Sequence, residues 1–498
     1  MSKILSGGRL SSKRADAAEF TSSIKDDARL TDAVIDINKA HVIMLTEQKI
    51  VKQQDAAKLL EALSSKLELK MDASSEDAHM AAEEAILQKV GTEVGGNMHI
   101  GKSRNDQVTT AIRMELRKQL LTLMHSAMEL QESLATTAEK HVETIILEYT
   151  HLQPAQPVTF AHYLLSRFDG LDRDIQRLQG AYLRVNLCPL GAGALATTSF
   201  SISRERVAEL LGFNGLVQNS IDAVSSRDFI LETLAALTIT AVNLSQLAED
   251  FVLWSSLDFG VVELPDDFTS TSSMMPQKKN PEVPEVARAR ACHVLGDFVA
   301  AATIMKAMPS AYNLDLQEVT PKLWETVETV NSSLKMLAQL IPELKVESDV
   351  SEKSLKSFVA ATELANMLVR KYGVPFRSAH KIIGALVKTL IKSNQTFKDA
   401  TPVLLSEVAE ENVGMALKVK ANDIAASVDP KKIVENHCVT GGPAPNTVKK
   451  ALAARKKSLV ETKSNINKLT HALKEAEKKL DSTSKSILEG KISPKRKI

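Results

Sequence analysis

The stretch at 116–135, LRKQLLTLMHSAMELQESLA, places Leu116, Leu120, Leu123, Ala127, Leu130 and Leu134 at alternating steps of four and three. That seven-residue repeat keeps one apolar stripe on a helix, the pattern of a rod packed lengthwise in a bundle. No glycine or proline lies between Gly101 and Pro154, so nothing local stops the helix early. If about 40 residues are helical, the rod is about 60 Å long. Such a rod needs neighbours of similar length to cover its stripe.

Further runs supply those neighbours. One lies between Gly215 and Gly260 and ends in the apolar stretch Leu244 to Leu257. A second follows Pro284 to about Met308, interrupted only by Gly296, and a third spans Pro321 to Pro342. Aromatics are only 4% of the chain, which argues against a strand-rich fold. The expected class is therefore mainly α, with a central bundle of long helices whose Leu, Ala and Met stripes are core and carry no chemistry.

The flanks read differently. Residues 1–105 carry shorter helices and the pairs Gly7-Gly8 and Gly95-Gly96. From about Ser354, short helices alternate with loops at Tyr372 to Pro375 and Gly441 to Pro445. The expected organisation is a small helical N-terminal domain at 1–105, the long-helix bundle at 106–353, a small helical C-terminal domain at 354–450 and an extension at 451–498. In that extension Leu459, Ile466, Leu469, Leu473, Ala476 and Leu480 follow a rough heptad, an amphipathic helix suited to pairing with another. The basic end Pro494-Lys495-Arg496-Lys497 reads as a solvated tail rather than a nucleic-acid arm.

Composition narrows the function. The 498 residues include 62 Lys+Arg against 61 Asp+Glu, a net charge of +1, which excludes a strongly basic nucleic-acid binder. Cys188, Cys292 and Cys438 lie far apart with no CxxC pair, so neither a disulfide framework nor a structural zinc site is expected. Residues 1–20 lack a signal-like apolar core, and no uninterrupted apolar run approaches the roughly 18 residues of a membrane span. A cytoplasmic location is expected. P-loop, dinucleotide, zinc-protease and nucleophile-elbow signatures are all missing.

Three segments could carry chemistry. Thr271-Ser272-Ser273-Met274-Met275-Pro276-Gln277-Lys278-Lys279-Asn280-Pro281-Glu282 combines hydroxyls, lysines and a helix start, with Asn280 as cap and Pro281 in the first turn. Lys278 and the helix's positive end would favour a carboxylate and a developing negative charge. A serine in that field could accept a proton. The plain alternative is a polar loop with two structural lysines. The segment from Gly96 to Gln107 opens the longest rod; Arg104 and Asn105 could grip an anion, or the whole could be an N-terminal cap. In Tyr149 to Pro157, two prolines fix a loop after the rod, and His151 could exchange protons near neutral pH or be structural. Glu76-Asp77-Ala78-His79 reads on its own as a helix start.

Taken together, SRNDQ at 103–107, THLQPAQP at 150–157 and SSMMPQKKNP at 272–281 resemble the fumarase/aspartase superfamily and, within it, the argininosuccinate lyase family. Gly7-Gly8-Arg9, Phe20 to Ser23, Glu76 to His79, Ser225 to Asp228 and Tyr312 to Glu318 match as well, so the likeness spans about residues 1–450. It implies a three-domain helical fold, a homotetramer and active sites that draw motifs from three subunits. It also implies reversible cleavage of argininosuccinate to arginine and fumarate, with no metal or cofactor. A sister lyase acting on adenylosuccinate or aspartate, or a silent crystallin-like relative, is the alternative.

Carried over residue by residue, Ser272 would abstract the proton and His151 would protonate the leaving nitrogen, with those roles exchangeable. Glu285 would orient the His151 ring. Lys278 and Asn280 would hold the carboxylate that takes up the charge. Ser23, Asn105, Thr150, Tyr312 and Gln317 would bind substrate, and Arg104 would supply charge. Thr271 stands where the family has glycine, and Lys102 where it has arginine. Val319-Thr320-Pro321-Lys322 replaces a region with a family lysine, which leaves open whether Lys322 substitutes for it.

Overall fold

The computed structural model describes residues 14–491 apart from 66, 73, 74 and 348. Gly7-Gly8-Arg9 and the basic end at 494–497 therefore lie outside the described residues. The N-terminal region folds as α1 (Thr31–Glu47), α2 (Gln53–Ser64) and α3 (Ala78–Val90). The rod follows as α4 (Arg104–Lys140), 37 residues, or about 56 Å. All six positions of its heptad stripe are buried.

After α4 comes a hairpin of β1 (Ile145–Thr150) and β2 (Gln153–Thr159), then α5 (Phe160–Val185) and α6 (Asp228–Trp254). A two-strand clip of β3 (Ser270–Thr271) and β4 (Lys279–Asn280) precedes α7 (Glu282–Met305) and α8 (Val319–Leu340). Helices α4 to α8 pack side by side as the bundle. Among the described residues only α6 is long and apolar enough by composition to cross a membrane, and half of its most apolar window is buried inside the fold.

Two local expectations differ from the structure, and one helix was not anticipated. The loop expected at Tyr149 to Pro157 is the β1–β2 hairpin, and Pro154 and Pro157 sit in β2, tolerated because a two-stranded ribbon has free edges. The run from Gly215 is not one rod: a short helix, Ser220–Ser225, precedes α6. Finally, α5 carries Gly170 and Gly180 inside a 26-residue helix, so breaker-free runs do not reveal it.

The C-terminal residues make α9 (Pro445–Leu488), 44 residues long. Its buried Ile466, Leu473, Leu480 and Ile487 fall seven apart. The partner expected for this stripe is in the same chain, because α9 lies along α4 and crosses α1 and α2. Arg455 pairs with Asp169 through two contacts of 2.7 and 2.5 Å, and Lys456 pairs with Glu139 at 2.7 Å. Such half-exposed pairs are worth at most about 1 kcal/mol each, so the apolar stripe carries the packing. One continuous core joins the N-terminal helices, the bundle and α9, while residues 360–433 build a second, separate core.

Candidate active site

The start of α4 is set by its own cap. The Ser103 hydroxyl accepts from the Asn105 N–H, and the Asp106 carboxylate accepts from the Ser103 N–H at 3.0 Å, a reciprocal capping box. The cap sets Arg104 and Asn105, both half-buried, on the first turn. Arg104 ion-pairs with Asp77, the N-cap of α3, and lies 3.5 Å from Glu83. Asn105 donates to the Ala194 carbonyl at 3.1 Å. The cap reading and the binding reading of this segment are thus compatible.

Arg104 faces a cavity of about 220 Å³ lined also by Ser23, Asp27, Asp77, Arg227, Tyr312 and Gln317. Four residues singled out from the sequence, Ser23, Arg104, Tyr312 and Gln317, therefore meet in one place. Asp27 and Arg227 were given no role from sequence, although Arg227 sits in the quoted Ser225 to Asp228 match. The Ser23 hydroxyl donates to Asp27 at 2.8 Å. Burial still pushes the Asp27 carboxyl up to about 6, with the Asp77 charge adding to the effect. Arg227 is fully buried, donates to the Val224 and Ser226 carbonyls, and leaves Nε without a partner among the described residues. Burial also raises the Tyr312 phenol. Cations, carboxylates, a phenol and an amide around so small a volume suit a ligand that carries both signs of charge.

The Ser272 loop stands apart from this cavity. Strands β3 and β4 pair Ser270 with Asn280 and Thr271 with Lys279, leaving 272–278 as the connecting loop. Ser272 Oγ accepts from the Met274 and Met275 N–H groups at 3.2 and 3.1 Å. Two amides aimed at one oxygen would steady an alkoxide there. The twin lysines are not equivalent. Lys279 is tied to Glu263 at 3.1 Å and Asp266 at 2.7 Å, whereas Lys278 is exposed and has no side-chain partner among the described residues. Asn280 is not the cap of α7: its amide is drawn to Ser270 Oγ at 3.4 Å across the clip, and Pro281 takes the cap position. Glu282 and Glu285 occupy the first turn of α7, so they offset part of the helix-end charge expected from sequence.

Thr150 and His151 occupy a third place. The β1–β2 turn is two residues long, and both His151 and Leu152 have positive φ, at 55° and 58°. That is the sign pattern of a type I′ turn, normally made by Asn and Gly. Thr150, His151, Leu152 and Gln153 are all exposed at its tip. Glu285 is exposed on α7. Among the described residues of one chain, no side-chain hydrogen bond or ion pair joins His151, Glu285 and Ser272. Lys322 pairs with Glu325 at 2.7 Å and lies 3.6 Å from Asp297, and it does not line the cavity.

The long-helix bundle thus carries a capped, charged turn at the head of α4 and a Ser-Lys loop ahead of α7. A family model described as Lyase matches residues 10–296, and one described as Argininosuccinate lyase C-terminal matches residues 358–435. An argininosuccinate lyase of Methanocaldococcus jannaschii is 45% identical over 90% of this chain and 93% of its own length. One from Methanococcus vannielii is 41% identical over 96% of this chain and 99% of its own. Among solved structures, an EDDS lyase in complex with formate superposes with a TM-score of 0.86 at 30% identity, covering 99% of both chains. A class II fumarase from Schistosoma mansoni, at 17% identity and a TM-score of 0.66 over 82% of this chain and 91% of its own, shares the fold. The chain belongs to the argininosuccinate lyase family of the fumarase/aspartase superfamily.

Proposed function

We propose that this chain catalyses the reversible β-elimination of argininosuccinate to arginine and fumarate, a step of arginine biosynthesis, by general acid–base chemistry. Removing the proton next to a carboxylate leaves a carbanion whose charge spreads into that carboxylate, and fixed positive charge lowers that barrier most. Lys278, without a side-chain partner among the described residues, and Asn280 hold the charged group. Ser272, its oxygen already bonded by two amides, takes the proton. His151 protonates the leaving guanidinium nitrogen, with Glu285 orienting its ring, and the two proton roles are exchangeable. The mixed-charge cavity of Ser23, Asp27, Arg104, Tyr312 and Gln317 takes the arginine half, whose amino, carboxylate and guanidinium groups carry both signs. Asn105 and Thr150 complete the binding set.

Exposed apolar residues support a homotetramer. Helix α7 buries only Pro284, Ala287, Val294 and Ala301 within the chain, while Val286, Leu295 and Val299 are about half exposed, as is Val242 on α6. A helix in the middle of a bundle with so much uncovered apolar surface is suited to copies of itself. Such packing would bring the Ser272 loop, the His151 hairpin and the Arg104 cavity of different subunits to one bundle end. The bundle at 106–353 would then be the catalytic domain, flanked by small domains at 1–105 and 354–450. Three free cysteines fit a cytoplasmic, reducing setting.

The observation that carries the reading is the meeting of Ser23, Arg104, Tyr312 and Gln317 in one cavity of a chain 45% identical to a curated argininosuccinate lyase. Purified protein should release fumarate from argininosuccinate, followed by ultraviolet absorbance. Turnover of adenylosuccinate or aspartate without argininosuccinate would replace the substrate assignment. No turnover of any of these by folded protein would make the chain a silent relative.

A further inference from the structure

Asp106 has a second set of partners besides the cap. Its carboxylate is completely buried. One oxygen accepts from the Ser103 N–H, and the other accepts from the Gly191 N–H at 3.0 Å and the Gly193 N–H at 2.8 Å. Gly191 and Gly193 open a loop that runs through residues 194–200, most of it exposed. The same loop receives the Asn105 side-chain amide at the Ala194 carbonyl.

The loop is held in an unfavourable shape. Thr197, a β-branched residue, has φ of 62°, a conformation that costs about 1 kcal/mol or more and persists only where surroundings impose it. Gly193 has φ of 62° too, and a Cβ there would sit 2.6 Å from the Thr197 carbonyl oxygen. A buried carboxylate collecting three backbone N–H groups from two segments is such an imposing element.

We infer that Asp106 is a positioning residue: its carboxylate clamps the Arg104-Asn105 turn to the 191–200 loop and so fixes the substrate-binding geometry at the head of α4. The inference rests on the assignment of Arg104 and Asn105 to substrate. Asp106 itself does not line the cavity and acts through its neighbours. Three N–H groups point at two acceptor oxygens, so an amide in place of the carboxylate must turn its NH₂ toward at least one donor.

The test is Asp106→Asn, compared with wild type for KM, kcat and backbone amide exchange. In folded D106N, KM for argininosuccinate should rise roughly tenfold or more while kcat changes less than about threefold, the signature of misplaced binding groups. Exchange at Gly191 and Gly193 should quicken by roughly tenfold or more, with the 116–135 stripe unchanged. A folded D106N with wild-type KM overturns the inference, as does activity lost only in proportion to unfolded protein. Should D106N not fold, Gly101→Ala strains the same junction from the other side. Gly101 has φ of 75°, and a Cβ would meet Thr198 Cγ2 at 3.3 Å. A raised KM is expected there also, and a wild-type KM in folded G101A counts against the clamp. If wild type cleaves no argininosuccinate, the substrate reading fails, and the amide-exchange comparison still decides whether the clamp exists.

Discussion

The cavity around Arg104 and the two outward loops carrying His151 and Ser272 are built on opposite plans. In the cavity, buried and half-buried groups already have partners: Ser23 on Asp27, Arg104 on Asp77, Arg227 on the Val224 and Ser226 carbonyls. In the loops, Thr150, His151 and Lys278 are exposed and make no side-chain hydrogen bond or ion pair among the described residues, and Glu285 is exposed on the first turn of α7. On the proposed assignment, the Arg104 cavity is assembled within a chain, while the proton-transfer groups are presented away from it. Buried charge is expensive and must be arranged during folding. Exposed groups cost nothing until something approaches them.

The most severe way to break that contrast is to remove an outward group. Ser272→Ala should lower kcat by roughly 10²- to 10⁴-fold while leaving thermal unfolding unchanged, since the hydroxyl bonds only two amides of its own loop. Steady-state kinetics and circular dichroism on the same sample check this, and near-normal turnover would remove Ser272 from the chemistry. Next in size is a mixing experiment. Ser272→Ala and Arg104→Gln proteins, each nearly inactive, are unfolded together and reassembled in equal amounts. If a site draws Arg104 and Ser272 from different subunits, about a quarter of sites regain both native residues by random assortment. If both come from one chain, no site does.

A third measurement separates the plans by stability. The folded Asp27 carboxyl lies near 6 against about 4 unfolded. The folded state therefore holds its proton more tightly, and that stabilising contribution is complete below pH about 4 and lost as pH rises through about 6. Asp27→Asn removes the burden of the buried charge. It should raise stability above pH 7 by on the order of 1–3 kcal/mol and flatten this part of the pH slope, while KM for argininosuccinate rises. Denaturant midpoints at about pH 3.5 and about pH 8, on either side of that window, would show it. A variant less stable at both would mean that Asp27 earns more from its hydrogen bonds than it loses by burial.

The same contrast governs what could be read from sequence. The stripe from Leu116 to Leu134 declares α4 because packing periodicity is written along the chain. Helix α5 was not legible, because Gly170 and Gly180 mimic breaks that tertiary contacts override. The β1–β2 hairpin was missed because its turn is His151-Leu152 rather than Asn-Gly, and its second strand holds two prolines. The outward groups were legible by resemblance, since their motifs are contiguous. Asp27 and Arg227 were given no role and Asp106 only a place behind the cap, because Asp27 and Asp106 reach partners 50 or more residues away, at Ala78 and Gly191, and Arg227 meets the other lining residues only in the folded cavity.

The smallest effect concerns the hairpin tip. Leu152 has φ of 58° and is 62% exposed. A non-glycine residue there costs roughly 1–2 kcal/mol, and burial within the chain returns little of it. Leu152→Gly relieves that strain but adds freedom to the unfolded chain, so a net gain of a few tenths to about 1 kcal/mol is expected. Denaturant titration reads that gain, with light scattering on the same variant to confirm an unchanged assembly. The turn also holds His151 in place, so kcat should fall modestly as the tip loosens. A variant that instead loses stability and dissociates would show Leu152 covered by another subunit. The hairpin would then be an interface element as well as a carrier of His151, and the outward plan would extend from chemistry to assembly.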